Sequence, residues 1–196
     1  MLKTRVLFFG GEGVGKTALL YLLKPNEIIK TKNTIGFNIE EIEYKNRKIN
    51  IWDIGGGDKK RYLWKRCLGN AKCIVFVVNI SDKERLNYYL ESLNNFLDSI
   101  KDEKIIPIII FGNIFNDKKE FEPEEMLQKS KLSPEISPFI IKSNIFKKKD
   151  IPELLDYIYN NIEFTKDEEE SKEEVINEGK EQKKKESYKV TNAWFR

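Results

Sequence analysis

Short apolar runs and amphipathic stretches alternate along the chain from Thr4 to Ile162. Runs of strand length, rich in β-branched and aromatic residues, fall at Arg5–Phe9, Ile39–Lys45, Lys48–Ile54, Lys72–Asn79, Ile105–Gly112 and Phe139–Lys142. Apolar residues at helical spacing mark Lys16–Leu23, Arg61–Leu68, Lys83–Ile100, Glu122–Lys131 and Ile151–Ile162. This alternation predicts an α/β fold, a mostly parallel six-stranded sheet with helices on both faces. One strand breaks the parallel rule. Ile39–Lys45 and Lys48–Ile54 are separated only by Asn46-Arg47, too little chain for a crossover, so they read as an antiparallel hairpin. Ser81-Asp82 offers N-cap chemistry ahead of the third helix, and Pro152 suits the first turn of the last. From Phe164 onward apolar residues almost vanish among mixed Glu and Lys until Val190. The expected organisation is one domain over residues 1–164 and a charged, disordered tail over 165–196. The tail ends in Ala193-Trp194-Phe195-Arg196, where a docking motif, a membrane-interface contact and plain disorder all stay open.

Between the first strand and the first helix lies Gly10-Gly11-Glu12-Gly13-Val14-Gly15-Lys16-Thr17, which fits the phosphate-binding loop pattern G-x-x-x-x-G-K-[ST]. Its setting, strand then glycine loop then helix, is the one the motif requires. Glycines let the backbone curl so that successive N–H groups point at phosphate oxygens, and the following helix adds partial positive charge at its N-terminus. Lys16 would neutralise the terminal phosphates and the Thr17 hydroxyl would hold Mg²⁺. A nucleoside triphosphate is the expected ligand.

Composition trims the alternatives. A formal net charge of +3 against 34% charged residues makes no case for nucleic acid. Histidine is absent, which removes His-based acid–base catalysis and His metal sites. Cys67 and Cys73, close together in apolar surroundings, fit a reducing, cytoplasmic setting. The longest apolar run, Lys104 to Phe111, is far short of a membrane span. Residue 2 is leucine, so the N-myristoylation pattern is absent, and the C-terminus is not a prenylation box. No signal peptide and no intrinsic membrane anchor are expected, and any peripheral membrane role would come through a partner or the Trp194-Phe195 end.

A phosphate loop alone does not separate kinases, ATPases and switch GTPases. Thr34-Ile35-Gly36-Phe37-Asn38-Ile39-Glu40 stands just before the hairpin, and Trp52-Asp53-Ile54-Gly55-Gly56 ends its second strand. With these residues, and with Tyr44-Lys45-Asn46, Asp58-Lys59, Leu63-Trp64 and Phe76-Val77-Val78, the chain resembles the Arf family of Ras-like small GTPases from Thr4 to Asn160. The likeness is strong through Asp82 and weaker beyond. A P-loop kinase or ATPase would not account for the T-I-G-F-N segment.

The resemblance implies a Ras-like P-loop NTPase fold and a GTP/GDP molecular switch. It implies Mg²⁺ held by Thr17, Thr34 and Asp53, the last through a water. Nucleotide contacts would come from Glu12, Gly13, Val14, Gly15, Lys16, Thr17 and Ala18 in the first loop and helix. Thr34 and Gly56 would meet the γ-phosphate through backbone N–H groups, and Asn113, Asn116 and Ile145 would lie at the base. Lys16, Thr34, Gly56 and Gly57 stand at the catalytic positions. Losing the γ-phosphate would release both switch segments, and the hairpin would slide in register. Phe37 and Trp52 match two of three aromatics that effectors recognise, while the third falls at Cys67, so the partner surface should be reshaped. An exchange factor and a GTPase-activating protein are the implied regulators.

Three departures qualify this. Gly57 replaces the glutamine that orients the attacking water, a loss of roughly 10- to 1000-fold, about 1.4–4 kcal/mol of barrier. Glu12 stands where the family carries aspartate. Asn113-Ile114-Phe115-Asn116 replaces N-K-x-D, and an amide at Asn116 is weaker toward guanine by roughly 2–4 kcal/mol. Asp117 follows directly, so a one-residue bulge could restore the carboxylate. The expected function is thus an Arf-like GTPase with slow, partner-dependent hydrolysis. The alternative is a nucleotide-locked or nucleotide-free pseudo-GTPase serving as a scaffold or subunit.

Overall fold

The computed structural model describes residues 4–24, 34, 36–56, 67–69, 71–100, 107–115, 117–148 and 150–162. Six strands, β1 (Arg5–Phe9), β2 (Phe37–Tyr44), β3 (Arg47–Ile54), β4 (Ala71–Asn79), β5 (Ile108–Asn113) and β6 (Phe139–Ser143), form one sheet in the order β2-β3-β1-β4-β5-β6. All neighbours pair in parallel except β2 with β3. Four helices are described: α1 (Lys16–Leu22), α2 (Leu86–Ser99), α3 (Pro123–Gln128) and α4 (Ile151–Asn161). The expected helix at 61–68 and the tail at 165–196 lie largely or wholly outside the described residues.

The central strands are apolar because both of their faces are covered. Val6, Leu7, Phe8 and Phe9 of β1 and Ile74 to Val78 of β4 are fully or almost fully buried. Phe9 meets Phe96 of α2 at 4.4 Å and Phe76 of β4 at 5.9 Å between ring centroids. On β6, Phe139 stacks on Tyr157 of α4 at 4.0 Å. β2 lies at the sheet edge and mixes exposed with half-buried positions.

Three elements differ from the pattern-based reading. The hairpin turn is Lys45-Asn46, one residue earlier than expected, with φ of 50° and 61°. Positive φ at both central positions is the type I′ form of a two-residue hairpin turn, which Asn tolerates and which suits the right-handed strand twist. The third expected helix begins as a 3-10 turn over Lys83–Arg85, where the Asp82 carboxylate accepts from the Arg85 N–H at 3.2 Å. The helix expected at Glu122–Lys131 shortens to Pro123–Gln128, with Ser130 closing its end by donating its hydroxyl to the Leu127 carbonyl at 2.8 Å.

The hairpin tip is docked on α4. The Tyr44 hydroxyl donates to Asp156 at 2.9 Å, Lys45 pairs with the same carboxylate, and Tyr44 meets Tyr159 edge-on. Lys45 and then Tyr44 hold the Asp156 carboxyl below its ordinary range. The parallel pairings set which residues end the strands together. Phe8 sits opposite Asp53, Asn79 opposite Asn113, and Asn113 opposite Ser143. The C-terminal ends of the parallel strands therefore deliver their loops to one edge of the sheet, where open α/β sheets bind ligands.

Candidate nucleotide-binding site

The glycine loop leaves β1 in a conformation that side chains resist. Gly10 has φ +136°, and a Cβ there would lie 2.1 Å from the Val77 carbonyl oxygen. Gly15 has φ +97°, and its Cβ would lie 2.6 Å from Asn113 Nδ2. Lys16 opens α1, is only 6% exposed, and donates from Nζ to the carbonyls of Gly10 at 3.1 Å and Gly11 at 2.6 Å. The ammonium thus closes the loop on itself. Val14 is buried, Ala18 packs half-buried on the core, and Gly15, the residue capping α1, has no side chain to occupy the helix's first N–H groups.

Thr17, Thr34 and Asp53, from α1, the segment before β2 and the end of β3, converge. The Thr17 hydroxyl donates to Asp53 Oδ2 at 2.5 Å, the Thr34 hydroxyl donates to the same oxygen at 3.1 Å, and the two hydroxyls lie 2.8 Å apart. Asp53 is fully buried, and its Oδ1 has no hydrogen-bond partner. A buried carboxylate with an idle oxygen is costly unless a cation or donor answers it. Two hydroxyls and a carboxylate are hard oxygen donors, so the group fits Mg²⁺.

The segments around the hairpin are locked together. Gly55 N–H donates to the Gly36 carbonyl at 2.8 Å. Gly56 abuts the phosphate loop so closely that a Cβ would lie 2.5 Å from the Gly11 carbonyl carbon and oxygen and 2.6 Å from Glu12 N. Across the sheet, the fully buried Asn113 donates to the Val14 carbonyl at 3.0 Å, tying the loop after β5 to the phosphate loop. Ile145 is buried. Its N–H faces Asn113 Oδ1 at 3.5 Å, and its Cδ1 would be 3.2 Å from a Gly15 Cβ. Asn116 and Gly57 lie outside the described residues. Asp117 adopts φ 54° and accepts from Asn144 Nδ2 and Lys147 Nζ, each at 2.8 Å. Lys147 and then Asn144 hold its carboxyl below the ordinary range. Its carboxylate therefore joins the loop after β6, beside the position where the resemblance puts the base.

Sequence reasoning passed over two contacts here. Ser81 bridges the loops after β4 and β5, donating to the Phe115 carbonyl at 2.8 Å and accepting from Phe115 N–H at 2.9 Å. Arg85 reaches the Glu12 carbonyl at 3.1 Å. On the outer face of the hairpin Phe37 stacks on Trp52 at 5.5 Å and is 48% exposed, with Ile39 42% exposed nearby in sequence. Arg5 lies 3.8 Å over Trp52 and donates to the carbonyls of Cys67 and Gly69 at 3.0 and 2.7 Å. Cys67 itself is buried, so it adds little to that surface.

The family model described as the ADP-ribosylation factor family (Arf) matches residues 2–162. The chain belongs to this family. Its fold and its phosphate loop are accordingly those of a Ras-like small GTPase. ADP-ribosylation factor J of Dictyostelium discoideum is 44% identical over 112 residues, a match that covers 57% of this chain and 58% of that relative's length. The solved structure of the Arl6 BBS3 small GTPase from Trypanosoma brucei with bound nucleotide analogue GppNp superposes with a TM-score of 0.70 at 26% identity. That likeness covers 81% of this chain and 96% of the other. Among the described residues, no helix is long and apolar enough to cross a membrane.

Proposed function

We propose that this Arf-family chain is a GTP/GDP molecular switch that binds Mg²⁺·GTP and hydrolyses it slowly. The observation that carries the reading is the meeting of Thr17, Thr34 and Asp53 over one buried carboxylate. Thr34 and Gly56 come from separate loops, and both are held against the phosphate loop or its helix. A ligand phosphate that draws both inward thereby links nucleotide state to the shape of the hairpin surface.

In this reading Lys16 and the loop N–H groups hold the phosphates, and Thr17, Thr34 and Asp53 hold the metal. Mg²⁺, when bound, supplies positive charge to the phosphate oxygens. Asn113 couples the base side of the site to the phosphate side through the Val14 carbonyl. Effectors would read Phe37, Ile39 and Trp52, three apolar side chains beside the switch segments, and an exchange factor and activating protein would set the cycle. The setting is cytoplasmic, with any membrane contact made through a partner. The second reading, a GTP-locked scaffold, is favoured by one specific feature: glycine at position 57 has no side chain with which to orient water.

Single-turnover hydrolysis of preloaded GTP separates the two. The native protein is expected to turn over slowly, and Gly57→Gln is expected to accelerate it by roughly 10- to 1000-fold. An unchanged rate would show that the glutamine position is not what limits hydrolysis. Failure of both proteins to load guanine nucleotide would sink the switch reading itself.

A further inference from the structure

Arg85 is the residue that neither the phosphate-loop motif nor the hairpin segments explain. Its backbone is fixed at the start of α2, because its N–H is capped by the Asp82 carboxylate. Its guanidinium lies 5.0 Å from the Tyr88 ring centroid and 5.3 Å from that of Tyr89, so two aromatic faces hold the cation. From that seat Nη2 donates to the Glu12 carbonyl at 3.1 Å. Tyr88 also braces the loop directly, since a Cβ at Gly11 would lie 2.6 Å from its ring edge. An arginine in the 3-10 turn that leads into α2 is thus aimed at the middle of the phosphate loop.

The Glu12 carbonyl belongs to the same planar trans peptide as the Gly13 N–H, and in such a unit the two point in opposite directions. With the carbonyl turned to Arg85, the Gly13 N–H is turned away from Arg85, and the phosphate-loop motif uses N–H groups of this stretch to cradle phosphate. A cation on the carbonyl end also polarises the amide, which makes its N–H a stronger donor. We propose that Arg85 is a positioning residue for phosphoryl transfer, acting through the Glu12–Gly13 peptide to hold and strengthen a backbone donor to the phosphates. The inference rests on the GTPase reading above.

In hydrolysis a water oxygen bonds to the γ-phosphorus while the bond to the bridging oxygen breaks. That oxygen leaves on GDP with the electron pair, and the water proton ends on the released phosphate. Negative charge shifts onto the bridging oxygen and the β-phosphate as that bond breaks, so a strengthened donor there counts for more than in the ground state. Arg85 would then supply part of the hydrolysis that remains without a glutamine at position 57.

The test uses the full chain loaded with GDP or GTP, with Arg85→Met keeping an unbranched apolar stem and Arg85→Lys keeping the charge. Three readouts are taken: fluorescent-GDP dissociation, single-turnover hydrolysis, and formation of the GDP–aluminium fluoride adduct followed by tryptophan fluorescence. Arg85→Met is expected to lower hydrolysis and adduct affinity by about tenfold or more, with GDP dissociation changed by less than about threefold. Arg85→Lys is expected to recover most of the loss. Wild-type hydrolysis in Arg85→Met would overturn the inference, and so would a loss matched by equally accelerated GDP release, which marks a merely structural role. A native protein that loads GTP but neither hydrolyses it nor forms the adduct would also overturn it. A native protein that loads no guanine nucleotide would overturn the switch reading beneath it, a result distinguishable before any variant is compared.

Discussion

Asp53→Asn is expected to keep the fold and lose most of the effect of Mg²⁺ on nucleotide retention. Asp53 is fully buried, and one oxygen takes both threonine hydroxyls while the other has no partner. Without a metal, that arrangement carries the cost of an ionised group taken out of water. Asparagine keeps an acceptor for the hydroxyls and removes the charge, so the nucleotide-stripped variant should melt at the same temperature as the native protein or higher. With Mg²⁺ present the sign reverses. A carboxylate that orients the metal's ligand shell is worth about 10- to 100-fold in metal affinity, and magnesium should slow nucleotide release by correspondingly less. Fluorescent-nucleotide dissociation with Mg²⁺ and with EDTA, beside thermal melts of stripped protein, reads both signs. An undiminished magnesium effect would show that Asp53 does not serve the metal.

Lys16→Ala should cost more, because Lys16 does two things. Its ammonium satisfies the carbonyls of Gly10 and Gly11 and sits almost wholly out of water. It is also the cation that the motif aims at the terminal phosphates. Charge-assisted hydrogen bonds contribute about 1.5–3 kcal/mol each. Losing two of them to phosphate corresponds to roughly 10²- to 10⁴-fold in affinity. The two carbonyls are left seeking water, so a smaller loss of thermal stability should accompany the binding defect. Equilibrium titration with a fluorescent guanine nucleotide measures the first and a melting curve the second. Near-native affinity in the variant would remove Lys16 from the phosphate site.

How far the sequence foretold this site depended on whether each residue's neighbours were near in the chain. Gly10 to Thr17 could be read outright, since strand, loop and helix are contiguous. Thr34 and Asp53 could be placed because the hairpin between them fixes where each strand ends, and the parallel register then carries Asp53 to Thr17. Asn113 was legible for the same reason, as the last residue of β5. The hairpin turn moved by one residue because the pattern of apolar positions does not encode the positive φ that Lys45 and Asn46 adopt. Arg85 was not legible, since its contact with Glu12 joins residues far apart in sequence and nothing local marks it. The Asp117 pairing with Asn144 and Lys147 depends in the same way on the β5–β6 pairing. Cys67, at the place of the third aromatic, is buried, with Arg5 anchored to its carbonyl beside Trp52, a contact that no local pattern marks.

Occupancy of this site by guanine nucleotide is tested most directly by denaturing the protein as purified in Mg²⁺ and identifying what it releases by chromatography. Guanine nucleotide near one per chain is expected, GDP if the switch turns over and GTP if hydrolysis is blocked. Release of no nucleotide, or of adenine nucleotide, would contradict it.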